Sequence, residues 1–155
     1  MNSPLKMLSK DCQNKLPTIK NRIKIYHKYY TMEDCKANLN DLYVFGDNDI
    51  KKGHGGQAII RSCENAIGIP TKKFPSHSHS ALYVDAEYAD DCKKILFSIE
   101  LLVKAAINKN GSIIFPEDGF GTGLAKLHIY APKTLEFLNK LIYECFDINY
   151  NFKEN

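Results

Sequence analysis

Two glycine-rich stretches constrain this chain more than any other feature. The first runs Gly46-Asp47-Asn48-Asp49 and then Gly53-His54-Gly55-Gly56-Gln57-Ala58. The second runs Pro116-Glu117-Asp118-Gly119-Phe120-Gly121-Thr122-Gly123-Leu124. Each follows an apolar run short enough to be a buried strand, residues 42–45 and 112–115, and each precedes a helix-compatible segment. In an open α/β sheet, ligands bind beyond the carboxyl ends of the strands. Glycine lets the backbone approach a ligand closely, and a helix N-terminus offers free N–H groups to anions. Two such loops on one rim can close over a single phosphorylated ligand. One loop alone carries little, because glycine also serves tight turns.

The remaining segments supply strands and helices around these loops. Residues 1–21 are polar, carry Pro4 and Pro17, and show no clear period, which predicts a loosely held arm with Leu5 and Leu16 packing. Residues 22–30 alternate, with Ile23, Ile25, Tyr26 and Tyr29 among lysines, and read as a half-buried edge strand. Thr31 is placed to cap a short helix through Asn38, with Asp34 in capping-box position. The continuous apolar run 42–45 reads as a central strand. Residues 56–63 read as a short helix with Ala58, Ile59 and Ile60 inward, and 66–69 as a strand whose pairing Pro70 stops. Residues 81–84 are a brief strand or an extended connection. Asp85 caps a long helix to about Asn108, with Ile95, Leu96, Ile99, Leu102, Val103 and Ala106 as its stripe. Pro132 opens the last helix, whose Leu135, Leu138, Leu141, Ile142 and Cys145 face the sheet. Residues 149–152 read as a final edge strand. The alternation predicts a three-layer α/β domain with a mixed central sheet, and 42–45, 66–69 and 112–115 as its inner strands.

Bulk properties narrow the function classes. A chain of 155 residues, 44% hydrophobic and 25% charged, suits one soluble globular domain. A formal charge of +3, spread along the chain, is compatible with phosphorylated partners but forms no nucleic-acid stripe. Five scattered cysteines without CxxC spacing argue against a disulfide framework or zinc site and for free thiols in a reducing compartment. The N-terminus lacks the apolar core of a signal peptide. The most apolar window, 95–107, contains Glu100 and Lys104 and is too short to span a bilayer. An intracellular, cytoplasmic protein with no membrane partner is the expectation.

Several motifs fail on their own chemistry. Asp47, Asn48 and Asp49 suggest a calcium loop, but Lys51 stands where a ligand is needed and the terminal glutamate is missing. Gly53-x-Gly55-Gly56 lacks the Gly-Lys-Ser/Thr of a P-loop and the spacing of a dinucleotide fingerprint. His77 and His79 alternate along an extended segment without an acidic or cysteine partner, as in a solvated loop. His54 either touches phosphate or faces solvent. Lys72 follows a strand and a proline on the same rim as both loops. A lysine there neutralises phosphate, or attacks an anomeric carbon when its pKa is lowered, or is a plain surface residue like Lys73.

In order and spacing, residues 42–146 resemble a macrodomain. They are most similar to the branch of terminal ADP-ribose glycohydrolases and DNA ADP-ribosyl hydrolase antitoxins. The resemblance rests on Gly53-His54-Gly55-Gly56-Gln57-Ala58 after a strand, on Ile69-Pro70-Thr71-Lys72 at a strand end, and on Pro116 through Leu124. It implies a macrodomain-like fold over residues 22–155 and ADP-ribose as ligand. It implies ligand contacts from Gly46, Asn48, Gly53, His54, Gly55, Gly56, Gln57 and Ala58, from Pro70 and Thr71, and from Gly119, Phe120, Gly121, Thr122, Gly123 and Leu124. Lys72 is implied to sit near the distal ribose, where some members use it with an acid to release ADP-ribose from acidic side chains or DNA bases. The position of that acid in the glycohydrolases holds Ala125 here, so Asp47 and Asp118 are the candidate replacements. Two readings follow. One is a hydrolase of an ADP-ribosyl linkage on a modified protein or nucleic acid. The other is a non-catalytic reader of ADP-ribose or a related NAD-derived nucleotide. The implied protein is a monomer that needs no cofactor or metal.

Overall fold

The computed structural model describes residues 3–150 and shows an α/β fold. Its strands are β1 (Ile23–Tyr26), β2 (Leu42–Asn48), β3 (Ala66–Lys72) and β4 (Ile113–Pro116). They form one sheet in the order β1-β4-β2-β3, and every strand pair in it is parallel. The expected mixed sheet is therefore corrected. Among the described residues the antiparallel pairing is a single isolated bridge, Lys72 to Leu82.

The inner strands β2 and β4 are apolar at successive positions because both their faces are covered. Leu42, Val44, Ile113 and Phe115 enter one core cluster. Tyr43, Phe45 and Ile114, pointing the opposite way, enter another. The larger cluster is closed by α1 (Lys10–Lys20), α3 (Tyr88–Ile107) and α5 (Pro132–Phe146). Ile95, Ile99, Leu102, Val103 and Ala106 of α3 are buried there at helical spacing, as their periodicity predicts. The smaller cluster lies under α2 (Met32–Ala37) and a 3-10 turn, Gly56–Ile60. Thr31 caps α2 by accepting from the Asp34 N–H at 3.1 Å. A short α4 (Leu127–Tyr130) links the second glycine loop to α5.

The expected arm is instead part of the core. Pro4–Met7 forms a 3-10 turn, and α1 buries Cys12, Leu16 and Ile19, an i, i+4, i+7 stripe. Ser9 caps α1, and Glu100 of α3 accepts from both the Ser9 N–H and hydroxyl, at 3.0 and 2.6 Å. Pro17 lies inside the helix rather than before it.

Residues 66–69 are not an inner strand. β3 is the edge of the sheet and continues through Pro70, which pairs in register with Asp47. A proline lacks only a donor, and an edge strand has a free side on which that loss costs little. Ile59 is exposed rather than inward, while Ala58 and Ile60 are buried. Asp85 begins a 3-10 turn, and its carboxylate accepts from the Lys133 N–H at 3.1 Å instead of capping α3. Asn149 and Tyr150 are not in a strand, and the last two residues of that expected strand lie outside the described ones. Among the described residues no helix is long and apolar enough to cross a membrane.

Candidate functional site

A cavity of about 880 Å³ opens beyond the carboxyl ends of β2, β3 and β4. Both glycine loops line it, with Thr71 and Lys72 at the end of β3. Every residue expected from sequence to form the site lines it except two. Pro70 faces a smaller cavity along the outer edge of β3, beside Phe97 and Lys94. Phe120 is a core residue, 2% exposed, packed edge-on against Phe115 and Tyr150 with ring centroids 6.1 and 5.8 Å away. It turns inward because the glycines on both sides take positive φ, 74° at Gly119 and 86° at Gly121.

The first loop is shaped from within. Asn48 Nδ2 donates to the Lys52 carbonyl at 2.8 Å, closing a turn. Arg61 Nε donates to the Gly53 carbonyl at 2.8 Å and Nη2 to the Lys52 carbonyl at 3.1 Å. Gly53 has φ 87°, and a Cβ there would stand 3.0 Å from Pro75. The His54 ring lies 3.3 Å from the Ser62 hydroxyl, and the buried Thr71 hydroxyl donates to the Asp47 carbonyl.

The second loop is held from below by Tyr150, whose ring a Cβ on Gly119 would meet at 3.0 Å and whose hydroxyl donates to the Pro116 carbonyl. Gly121 must be glycine, because a Cβ there would lie 2.3 Å from Leu127 Cδ1. Gly123 takes no positive φ and has open space where a Cβ would stand. No acceptor among the described residues takes the N–H of Gly55, Gly56 or Gln57, or of Thr122, Gly123 or Leu124. These N–H groups are the donors an anion in the cavity has to draw on.

The titratable groups are not equivalent. Lys72 is half-buried, its Nζ donates to the Ser76 carbonyl at 2.9 Å, and burial lowers its pKa from the ordinary lysine value. Lys73 points away and pairs with Glu87 at 2.7 Å. Asp47 is not a free acid. Its Oδ1 lies 2.6 Å from Arg61 Nη2 and also accepts from the Asn48 N–H at 2.7 Å. Its side chain is 6% exposed and lies against Gly68, where a Cβ would be 2.5 Å from Oδ2. Asp118 is exposed on the cavity wall, without an ion pair or hydrogen bond among the described residues. Ala125, 6% exposed, lines the same wall.

Sequence reasoning missed other lining residues. Glu117, whose Oε1 lies 3.1 Å from His27 Nδ1, stands next to Asp118. Ser76 and His77 come from the loop after β3, which folds back so that the Lys73 N–H reaches the Ala81 carbonyl at 2.7 Å. Tyr150 arrives from the far end of the chain, with no local signal to announce it. Among the described residues no group of three or more histidine, cysteine, aspartate or glutamate side chains is close enough to hold a metal ion.

A model for a family of unknown function (DUF7831) matches residues 25–141. The chain belongs to this family. No curated protein and no solved structure matches it. The DUF7831 span contains both glycine loops and Lys72, whereas α1 and the Tyr150 support lie outside it.

Proposed function

We propose that the protein binds ADP-ribose in this cavity and hydrolyses an ADP-ribosyl linkage on a modified protein or nucleic acid. The observation that carries the reading is the convergence of both glycine loops and Lys72 on one cavity of about 880 Å³. Cavities that hold nucleotide-sized ligands run to about 300–1,000 Å³. The three-layer macrodomain-like description of the fold is part of the same proposal.

The diphosphate lies between the loops, taking its hydrogen bonds from backbone N–H groups, and the distal ribose lies toward Lys72. Cleavage at the anomeric carbon passes through an oxocarbenium-like state. Lys72, with its pKa lowered by burial, holds more neutral amine than an exposed lysine; it attacks the anomeric carbon as that carbon's bond to the carrier oxygen or nitrogen breaks, the carrier leaves with the proton shed by the new Lys72 ammonium, and water later displaces the Lys72 amine. Asp118 activates the water that completes hydrolysis. Asp47 has a structural role, since its carboxylate is held by Arg61. Contacts to the diphosphate, remote from the reacting carbon, orient that carbon for attack. The five cysteines are free and buried, which suits a reducing compartment, and the reading places a monomer in the cytoplasm.

The second reading is a reader that binds without cleaving, and Ala125 on the cavity wall favours it. Calorimetric titration with ADP-ribose tests the binding. Release of ADP-ribose from modified glutamate, aspartate or DNA separates the readings. Binding with release supports the hydrolase, binding without release supports the reader, and a protein that does neither removes both.

A further inference from the structure

The two glycine loops are separate segments of chain, yet one side chain joins them. Gln57 Oε1 accepts from the Gly46 N–H at 2.7 Å, and its Nε2 donates to the Gly119 carbonyl at 2.8 Å. Gly46 lies inside β2, which runs on to Asn48, and Gly119 lies in the loop after β4, 62 positions beyond Gln57. The amide thus ties β2, which feeds the first loop, to the second loop. The sequence makes Gln57 a ligand contact, but both of its polar ends are already taken within the protein.

We infer that Gln57 is the positioning residue that sets the gap between the glycine loops, and so the width of ligand the cavity accepts. The geometry is specific to an amide. A donor must face Gly119 and an acceptor must face Gly46, at the reach of one glutamine side chain. Gly56, with φ 57°, opens the turn from which Gln57 projects, and Ala58 behind it is buried. Phe120, buried between Gly119 and Gly121, and Tyr150 hold the far loop from the opposite side.

Glutamate is the discriminating replacement. When protonated it keeps the glutamine pattern, with its carbonyl toward Gly46 and its O–H toward Gly119. When ionised it is acceptor-only and faces the Gly119 carbonyl, leaving that group without a donor. The ligand arm of the test rests on the ADP-ribose reading; the ligand-free arm does not. In the ligand-free protein, the Lys126 and Leu127 amides, which donate to the Gly123 and Gly121 carbonyls of this loop, should exchange faster in Gln57→Glu than in wild type at pH 7.5, and the two should converge near pH 4.5. In the ligand arm, the ADP-ribose affinity of Gln57→Glu should be weaker than wild type by about tenfold at pH 7.5, the size of loss expected when a buried carbonyl loses its donor. That ratio should shrink toward one at low pH. Asp118, Glu117, His54, His77, Lys52 and Lys72 line the same cavity and Asp47 pairs beside it, so their titration is cancelled by comparing variant with wild type at each pH. Gln57→Met, with no polar ends, should show the faster exchange at every pH, and it serves if the glutamate variant fails to fold. Exchange of the Lys126 and Leu127 amides that is unchanged in both variants overturns the inference. A wild type that does not bind ADP-ribose removes the ligand reading and leaves the exchange result to decide the role of Gln57.

Discussion

Arg61, which lies behind the first loop and lines the smaller cavity, should be costly to remove: Arg61→Ala is expected to destabilise the protein strongly. The guanidinium is 15% exposed and sits 2.6 Å from an Asp47 carboxylate that is 6% exposed. It also lies 5.5 Å above the Phe45 ring centroid and holds the carbonyls of Lys52 and Gly53. Removing it leaves a buried carboxylate without its counter-charge, a loss of about 3–5 kcal/mol in comparable pairs. The Lys52 carbonyl keeps the Asn48 amide as donor and Gly53 is partly exposed to water, so the lost bonds to them add little, and about 4 kcal/mol is the working value. For a domain of this size that corresponds to a fall in melting temperature of about 8–16 °C. Asp47→Asn is gentler. Its amide oxygen still accepts from Arg61 and from the Asn48 N–H, so a cost of about 1–2 kcal/mol is expected.

The same pair tests whether Asp47 takes part in chemistry. If its work is to hold Arg61, then Asp47→Asn lowers the melting temperature, and release of ADP-ribose stays within about threefold of wild type. The double variant Asp47→Asn/Arg61→Met should then be more stable than Arg61→Ala, because no unpaired charge remains buried. Thermal unfolding followed by circular dichroism and a single-turnover release assay give both readouts. An Asp47→Asn protein with unchanged melting temperature and release reduced by about a hundredfold, the size of a lost acid–base group, would refute the structural assignment.

Gly123→Glu should abolish ADP-ribose binding by calorimetry with little change in melting temperature, since the position is open; Gly121→Glu should instead unfold the loop against Leu127. Lys72→Ala should reduce ADP-ribose release by at least about a hundredfold while free ADP-ribose binds within about tenfold of wild type. Wild-type release should rise with pH to a midpoint below the ordinary lysine range, because burial lowers the Lys72 pKa. Asp91 is buried on α3 with neither carboxylate oxygen hydrogen-bonded among the described residues, and burial pushes its pKa up from 3.8 to about 6. The ionised form is therefore penalised in the folded protein, with no penalty below about pH 4 and a full one above about pH 6, so Asp91→Asn should add about 2 kcal/mol in chemical denaturation at pH 7.5 and lose that gain at pH 4.

What the sequence showed was whatever depends on near neighbours. The opposite facing of Leu42 and Val44 against Tyr43 and Phe45 follows from the pleat, and the α3 stripe from helical spacing. Thr31 caps a helix because the N–H it accepts from, that of Asp34, lies three residues away. Proline was misread twice for one reason: its effect depends on where the missing N–H would point. At Pro70 it points to no strand, and at Pro17 a helix already anchored through Ser9 and Glu100 tolerates the loss. The site residues were recognisable as lining because glycine loops carry a local signature. Their roles were not, because each role is set by a distant partner: Arg61 for Asp47, Gly119 for Gln57, and Phe115 with Tyr150 for Phe120.

The carboxylates of the cavity wall sort themselves by what holds them. Asp47 is paired through Oδ1 with Arg61 and with the Asn48 N–H in a nearly dry setting. Glu117 faces His27 from β1's end of the sheet. Asp118 alone of the three has no ion pair or hydrogen bond among the described residues, yet its backbone is anchored on both sides. The Pro116 carbonyl before it takes the Tyr150 hydroxyl, and the Gly119 carbonyl after it takes the Gln57 amide. A carboxylate with free oxygens on a fixed backbone is what water activation requires: the loop bears the cost of positioning, and the side chain stays available. With Ala125 supplying no acid, the chemistry proposed for this cavity converges on Asp118 and Lys72, which line the same cavity. The hydrolase and the reader then differ in whether the bound ribose reaches that carboxylate, a distance governed by the loop that Gln57 ties in place.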